Sequence, residues 1–360
     1  MSNKFHSITV KDIRKETADC VSIAFDIPEE KKSLFQFTQG QYIAVKKDID
    51  GVDIRRSYSI CSSPLDDELR IAVKKVEGGV FSTYANKKLC VGDTIEIMPP
   101  LGKFFTPLVS SQSLNYAAFA AGSGITPILS IIKTTLLTEP NSTFTLVYGN
   151  KNRHSIIFRE AIEALKNKFI HRFRVIYILS REKTDTPIQA GRINAEKCNA
   201  LFEKIIDIKN IDHFFICGPQ EMTETVKNKL AANGIQPKQI HVELFGVKTT
   251  LRQAQGDRPE AIDDIMTSKR NITIKLDGVT FDFELRNNES ILDAALAQGA
   301  DLPFACKGGV CCTCKAKLVE GKVKMDVHYG LEPDEIAAGF ILTCQSHPQT
   351  QRVLVDFDAK

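Results

Sequence analysis

Four cysteines near the end of the chain, Cys306, Cys311, Cys314 and Cys344, stand in the order C-x4-C-x2-C followed by a distant C. That is the ligand spacing of a plant-type 2Fe–2S cluster, and it points to single-electron chemistry. In the loop from Cys306 to Cys314, Gly308 and Gly309 let backbone N–H groups turn toward the sulfurs without a Cβ clash. A structural zinc site usually uses two Cys/His pairs, whereas three of these cysteines crowd one loop. Zinc and incidental free thiols are the competing readings. A second frame, C-x5-C-x-C, runs through Cys312, and the cluster-ligand spacing favours Cys311 over it.

An electron carrier needs a source, and the middle of the chain offers candidates. Ala121-Gly122-Ser123-Gly124-Ile125-Thr126-Pro127 follows an apolar run, Tyr116–Ala121. Gly122 and Gly124 permit close approach of a phosphate, Thr126 is placed to cap a helix, and Pro127 suits its first turn. A dinucleotide pyrophosphate fits there, although a glycine turn of this kind also occurs for packing alone. The run Phe173–Leu179 ends at Ser180-Arg181, where a hydroxyl and a guanidinium suit a ribose 2′-phosphate and favour NADPH over NADH. Glu182 follows, readable as half of a surface ion pair. The run His213–Ile216 ends at Cys217-Gly218-Pro219, placing a small thiol where ligands collect, with a buried structural cysteine as the alternative. Earlier in the chain, Arg56-Ser57-Tyr58-Ser59 joins a phosphate-binding side chain to an aromatic ring and a hydroxyl. Gly78-Gly79-Val80-Phe81-Ser82 is a second possible phosphate turn.

These motifs need elements to hold them. The first hundred residues show short alternating runs such as Gln41–Val45 and Leu69–Val73 between turn residues, the pattern of an antiparallel sandwich or barrel. From about Tyr116, apolar runs alternate with helical stretches, which implies a parallel sheet with crossover helices. Periodicity then stops until about Arg270. Beyond it, Asn271–Leu276 and Val279–Leu285 read as a hairpin across Asp277-Gly278, followed by a short helix capped by Ser290 and closed by Gly299. The expected organisation is a multidomain chain: a barrel over 1–108, an α/β domain over 109–245, a linker over 246–270 and an α+β domain over 271–360.

A length of 360 residues fits two or three domains. Net charge is +3 without long blocks of one sign, so no nucleic-acid partner is expected. Ten cysteines spread through a long chain with no apolar signal core at its start suit a reducing cytoplasm. The stretch from Phe104 to Ile132 carries no charge, but its serines and glycines read as loop, strand, turn and helix, so no membrane segment is expected.

The order of the motifs resembles the ferredoxin–NADP reductase family over about residues 5 to 245. Its R-x-Y-S flavin motif matches Arg56, Tyr58 and Ser59, and its second phosphate turn matches Gly79 and Ser82. Its nicotinamide-side motifs match Gly122, Gly124, Thr126, Pro127, Cys217, Gly218 and Pro219. The segment His241–Phe245 looks like its acidic and aromatic residues near the flavin, here Glu243 and Phe245. With a C-terminal plant-type ferredoxin domain, the whole is similar to the reductase components of multicomponent oxygenases, most of all to those of ring-1,2-phenylacetyl-CoA epoxidases. Phthalate-dioxygenase-type reductases share the domain order but use FMN; the resemblance favours FAD.

The resemblance implies a flavin-binding barrel, a nucleotide domain and a β-grasp-like ferredoxin domain. It further implies electron flow from NADPH through FAD and the cluster to an oxygenase component, a di-iron phenylacetyl-CoA epoxidase, with a different oxygenase, hydroxylase or carrier as the alternative acceptor. Ser59, near flavin N5, Cys217, beside the nicotinamide, and Glu243, which helps place donor and acceptor or stabilises a flavin intermediate, are its expected catalytic residues. Cys306, Cys311, Cys314 and Cys344 are its expected metal ligands. Two features depart from the pattern: Leu251–Pro259 has the look of an insertion, and residues 269–360 hold 11 basic against 13 acidic side chains, whereas plant ferredoxins are strongly acidic.

Overall fold

The computed structural model describes residues 4–246, 270–285 and 289–359. These form two compact units that divide between Phe245 and Gly246. The expected linker and the Leu251–Pro259 segment lie, apart from Gly246 and Arg270, outside the described residues.

The first unit opens with strands β1 (His6–Thr17), β2 (Cys20–Asp26), β3 (Tyr42–Ile49), β4 (Val52–Ser59) and β5 (Leu69–Lys74), then helix α1 (Val80–Lys87) and strand β6 (Thr94–Ile97). They make an antiparallel sheet in the order β4-β3-β6-β1-β2-β5. A bridge between Ile60 and Ile71, reinforced by Cys61 N–H donating to Arg70 O at 2.8 Å, brings the end of β4 onto β5 and closes the barrel. Alternation sets the core: Ile8 and Val10 are buried while Ser7 and Thr9 are exposed.

The chain continues through β7 (Asn115–Ala121), α2 (Ile125–Thr138), β8 (Thr143–Asn150), α3 (Arg159–Lys168), β9 (Phe173–Leu179), α4 (Ala195–Lys204), β10 (His213–Gly218), α5 (Gln220–Ala232) and β11 (Ile240–Leu244). All five strands are parallel, in the order β11-β10-β7-β8-β9. The winding reverses between β7 and β10, and a crevice opens at the carboxyl ends of strands where such a reversal occurs. The turn at Gly122 and the Cys217-Gly218-Pro219 segment therefore share one end of the sheet.

Helix α2 explains the uncharged stretch of sequence. Ile125, Ile128, Ile131, Ile132 and Leu136 are buried, and so are Ser130 and Thr134 on its barrel-facing side. Ser130 Oγ donates to Ser62 O at 2.6 Å, and the Ser63 and Thr134 hydroxyls meet at 2.9 Å. A helix covered by a sheet and a barrel keeps little face for charge, and its one charged side chain, Lys133, pairs with Asp66. Among the described residues no helix is long and apolar enough to cross a membrane. One expectation is corrected here. Thr126 does not cap α2: it lies inside the first turn, its hydroxyl donates to Ser123 O at 3.0 Å, and Gly124, which has no side chain, holds the cap position.

The second unit contains β12 (Arg270–Leu276), β13 (Val279–Leu285), α6 (Ile291–Ala297), β14 (Lys315–Glu320), β15 (Val323–Met325), α7 (Pro333–Ala337), β16 (Phe340–Leu342), β17 (Ser346–Pro348) and β18 (Arg352–Asp356). Its main sheet runs β13-β12-β18-β14-β16, with β12 and β18 parallel and the other pairs antiparallel, as a β-grasp requires. Asp277 and Gly278 both take positive φ, 53° and 76°, which is the two-residue turn whose twist suits a hairpin. Ser290 Oγ accepts from Asp293 N–H at 3.1 Å and caps α6.

Candidate functional site

The parallel register places Cys217 on β10 directly beside Glu243 on the edge strand β11. From the barrel, Ser59 at the end of β4 reaches the same point and donates its hydroxyl to Glu243 Oε2 at 2.9 Å. Three expected residues, separated by up to 184 positions, thus meet at one seam. Burial pushes the Glu243 carboxyl up to about 8, and the Ser59 hydrogen bond offsets part of that rise. Glu243 is half-buried. Cys217 is fully enclosed, and burial followed by the nearby carboxylate keeps its thiol protonated. Phe245, two residues beyond Glu243, is exposed.

The turn after β7 is built for close approach. A Cβ on Gly124 would stand 2.1 Å from Cys217 O, so only glycine lets α2 start against the end of β10. Gly122 has φ 55°, and nothing lies within 4 Å of where its side chain would begin, so the space over the turn is open. Gly218 is confined in turn, since a Cβ would meet Met222 Cε at 2.7 Å. At the opposite edge, Ser180 N–H donates to Asn150 O at 3.0 Å and Arg181 N–H to Lys151 O at 2.8 Å, extending the β8–β9 pairing past the ladder. Arg181 is exposed; Glu182 pairs with Arg153. From β11 to β9 there are four strand spacings, roughly 19 Å, with Gly122 in the middle. A dinucleotide laid along this edge would place pyrophosphate at the turn, one ring near Cys217 and the other ribose near Ser180.

The barrel supplies a second cradle. Tyr58 packs against Phe81 in the first turn of α1, with centroids 5.5 Å apart, which sets Arg56, Tyr58 and Ser59 alongside the start of that helix. The Ser82 hydroxyl accepts from Val76 N–H at 3.1 Å and donates to Gly79 O at 3.2 Å, tying the turn into a loop. A Cβ on Gly79 would lie 2.5 Å from Ser82 Oγ. Arg56 remains exposed, able to meet a phosphate at the uncapped helix start, where unbonded N–H groups and the dipole favour an anion. These residues fit a flavin with its phosphate tail.

In the second unit the four cysteines come as two pairs. Cys306 and Cys311 sulfurs are 3.1 Å apart, and Cys314 shares a hydrogen bond with Cys344. In each pair one thiol donates to the other, holding Cys311 and Cys344 down and Cys306 and Cys314 up. Gly308 N–H points at Cys306 Sγ at 3.2 Å, and Gln345 Nε2 at Cys344 Sγ at 3.6 Å. The Thr313 hydroxyl, two residues from Cys311, is buried without a hydrogen-bond partner. Donors aimed at clustered sulfurs suit thiolates bridged to metal. Cys312 turns away, its thiol donating to Gly330 O.

Sequence reasoning did not single out the buried Thr313, or Gln345 as a donor to a sulfur. Their one signal is position, since each adjoins a cysteine of the motif. The Ser62–Ser130 and Ser63–Thr134 contacts have no local signal, because each joins residues about seventy positions apart.

Comparison with known proteins agrees with this layout. Residues 7–105 match the oxidoreductase FAD-binding domain, 119–228 the oxidoreductase NAD-binding domain, and 274–349 the 2Fe-2S iron-sulfur cluster binding domain. The chain is 45% identical over 358 residues to a subunit of 1,2-phenylacetyl-CoA epoxidase from Escherichia coli K12, covering 99% of this chain and 98% of that one. It is 32% identical to the ferredoxin reductase component of 3-ketosteroid-9-alpha-monooxygenase from Rhodococcus rhodochrous, covering 97% and 96%. Among solved structures, phthalate dioxygenase reductase shares the fold at a TM-score of 0.61 and 23% identity, covering 99% of this chain and 98% of that one. The chain belongs to the family of FAD- and 2Fe–2S-containing, NAD(P)H-dependent reductases that supply electrons to oxygenases, the family that includes this phenylacetyl-CoA epoxidase component.

Proposed function

We propose that this chain is the NADPH-oxidising reductase of a di-iron phenylacetyl-CoA epoxidase. The observation that carries the chemistry is the meeting of Ser59, Glu243 and Cys217 where barrel and parallel sheet join. The E. coli relative supports the choice of partner. The proposed domains are 1–108 for FAD, 109–245 for the nucleotide, 246–270 as linker and 271–360 for the cluster. Among the described residues no disulfide joins two cysteines, and the proposed setting is the cytoplasm.

Arg56, Tyr58, Ser59, Gly79 and Ser82 would hold FAD. Gly122, Gly124, Thr126, Pro127 and Gly218 would shape the nucleotide crevice, Ser180 and Arg181 would take the 2′-phosphate, and Phe245 would cover the flavin side. Cys306 with Cys311 would hold one iron, and Cys314 with Cys344 the other. When bound, the flavin converts two-electron input into single electrons and the cluster carries them onward. Cys217, a neutral enclosed thiol, gives the nicotinamide a soft wall fixed by two neighbouring strands. Glu243 keeps a proton on its carboxyl at neutral pH, and the Ser59 hydroxyl, donating to it at 2.9 Å, holds the carboxyl in place.

Substituting Cys344→Ser tests the assignment. The variant should lose the cluster's visible absorption, keep NADPH-driven ferricyanide reduction and lose transfer to cytochrome c. Undiminished transfer to cytochrome c would show that electrons leave by another path.

A further inference from the structure

The carboxyl ends of β8 and β9 form a cationic edge. Lys151, Arg153, Arg181 and Lys183 are exposed there, and the interspersed carboxylate is Glu182. Among the described residues, neither Lys151 nor Arg181 has an ion-pair partner, whereas Glu182 is held twice. Its Oε2 accepts from the backbone N–H of Arg153 at 2.7 Å, and its Oε1 accepts from the Arg153 guanidinium. The Glu182 side chain is 20% accessible, against 57% for that of Arg153.

A carboxylate at the end of a strand in such a sheet is the group that usually accepts from a ribose 2′-hydroxyl, and it repels a 2′-phosphate. Glu182 adjoins the two residues read as phosphate ligands, so its position is suited to that role. Its partner prevents it. We propose that Arg153 is a specificity-determining residue: by clamping Glu182 from backbone and side chain, it keeps that carboxylate off the adenosine ribose and leaves the edge cationic for a 2′-phosphate. This rests on the reading of Ser180 and Arg181 as the 2′-phosphate site. Arg153 acts through Glu182 and does not itself touch the nucleotide.

The test compares Arg153→Ala, Glu182→Gln, the double variant and Arg181→Ala in the full-length holoprotein. The readouts are kcat/KM for NADPH and for NADH with ferricyanide, and binding of adenosine 2′,5′-bisphosphate by calorimetry. Arg153→Ala should weaken NADPH and the bisphosphate about threefold to fivefold, the size of one exposed charge interaction, and raise NADH by a smaller factor. The backbone N–H at 153 survives the substitution and limits the gain. Adding Glu182→Gln should restore NADPH and abolish the gain for NADH. The NADH arm decides, because simple loss of a positive charge lowers both anionic nucleotides, whereas a released carboxylate raises NADH. If Arg153→Ala lowers both alike, the clamp is refuted. If Arg181→Ala lowers both alike, the 2′-phosphate site itself is refuted, and an NADPH-selective effect at Arg181 with none at Arg153 refutes the clamp alone.

Discussion

Removing the Ser59 hydroxyl should move a titration that belongs to Glu243. In the native seam the carboxyl titrates at about 8, with desolvation raising it and the 2.9 Å hydrogen bond from Ser59 lowering it. A hydrogen bond to a charged acceptor contributes roughly 1.5–3 kcal/mol. At about 1.4 kcal/mol per pKa unit, Ser59→Ala should raise the Glu243 midpoint by about one to two units. The sign carries to stability. Because the folded carboxyl holds its proton above the unfolded value of 4.5, the folded state binds more protons between about 4.5 and 8. Stability from this group is therefore full below 4.5 and declines as pH rises through that window, levelling above 8. In Ser59→Ala the decline should extend to higher pH; in Glu243→Gln it should vanish. Infrared difference spectroscopy of the carboxyl stretch across pH 5–11 (about two to three units either side of the midpoint), with isotope-labelled glutamate, reads the midpoint directly. A midpoint that stays put or falls in Ser59→Ala would refute the balance of burial against one hydrogen bond.

Two further substitutions probe the rest of the chain. Gly124→Ala puts a Cβ 2.1 Å from Cys217 O, a backbone atom that cannot swing aside, so it should cost about 2–4 kcal/mol in chemical denaturation and weaken both nucleotides; an unchanged midpoint would show the turn to be slack. Cys311→Ser should abolish the cluster's absorption and electron paramagnetic resonance signal, whereas Cys312→Ser should keep both, because only the former thiol faces Cys306. The reverse result would exchange the two assignments.

What could be read from the residues alone was whatever they encode over a few positions. The cysteine loop, the glycine turn and the Asp277-Gly278 hairpin have geometry fixed by neighbours in sequence, and each is found where its pattern stands. Thr126 failed as a cap because Gly124, required by the close pass of β10, already holds that position. The sequence placed Glu182 in a possible ion pair but could not name Arg153, 29 residues earlier, because that contact depends on β8 and β9 lying side by side. The likeness to known reductases pointed to Ser59, Cys217 and Glu243, but the hydrogen bond joining two of them follows from a packed seam that no local rule describes.

The strand that brings Glu243 has a further consequence for the order in which the protein assembles. Among the described residues β11 lies at the edge of its sheet and pairs with β10 alone, and it is the last strand of the first unit. During synthesis the barrel, the glycine turn and α2 can all fold while residues 240–244 are still inside the ribosome. Ser59 then waits for a partner made 184 residues later. The carboxylate is thus fitted last, onto a scaffold already formed, and a nascent or truncated chain ending before Ile240 would possess both cofactor cradles without the proton-holding group between them.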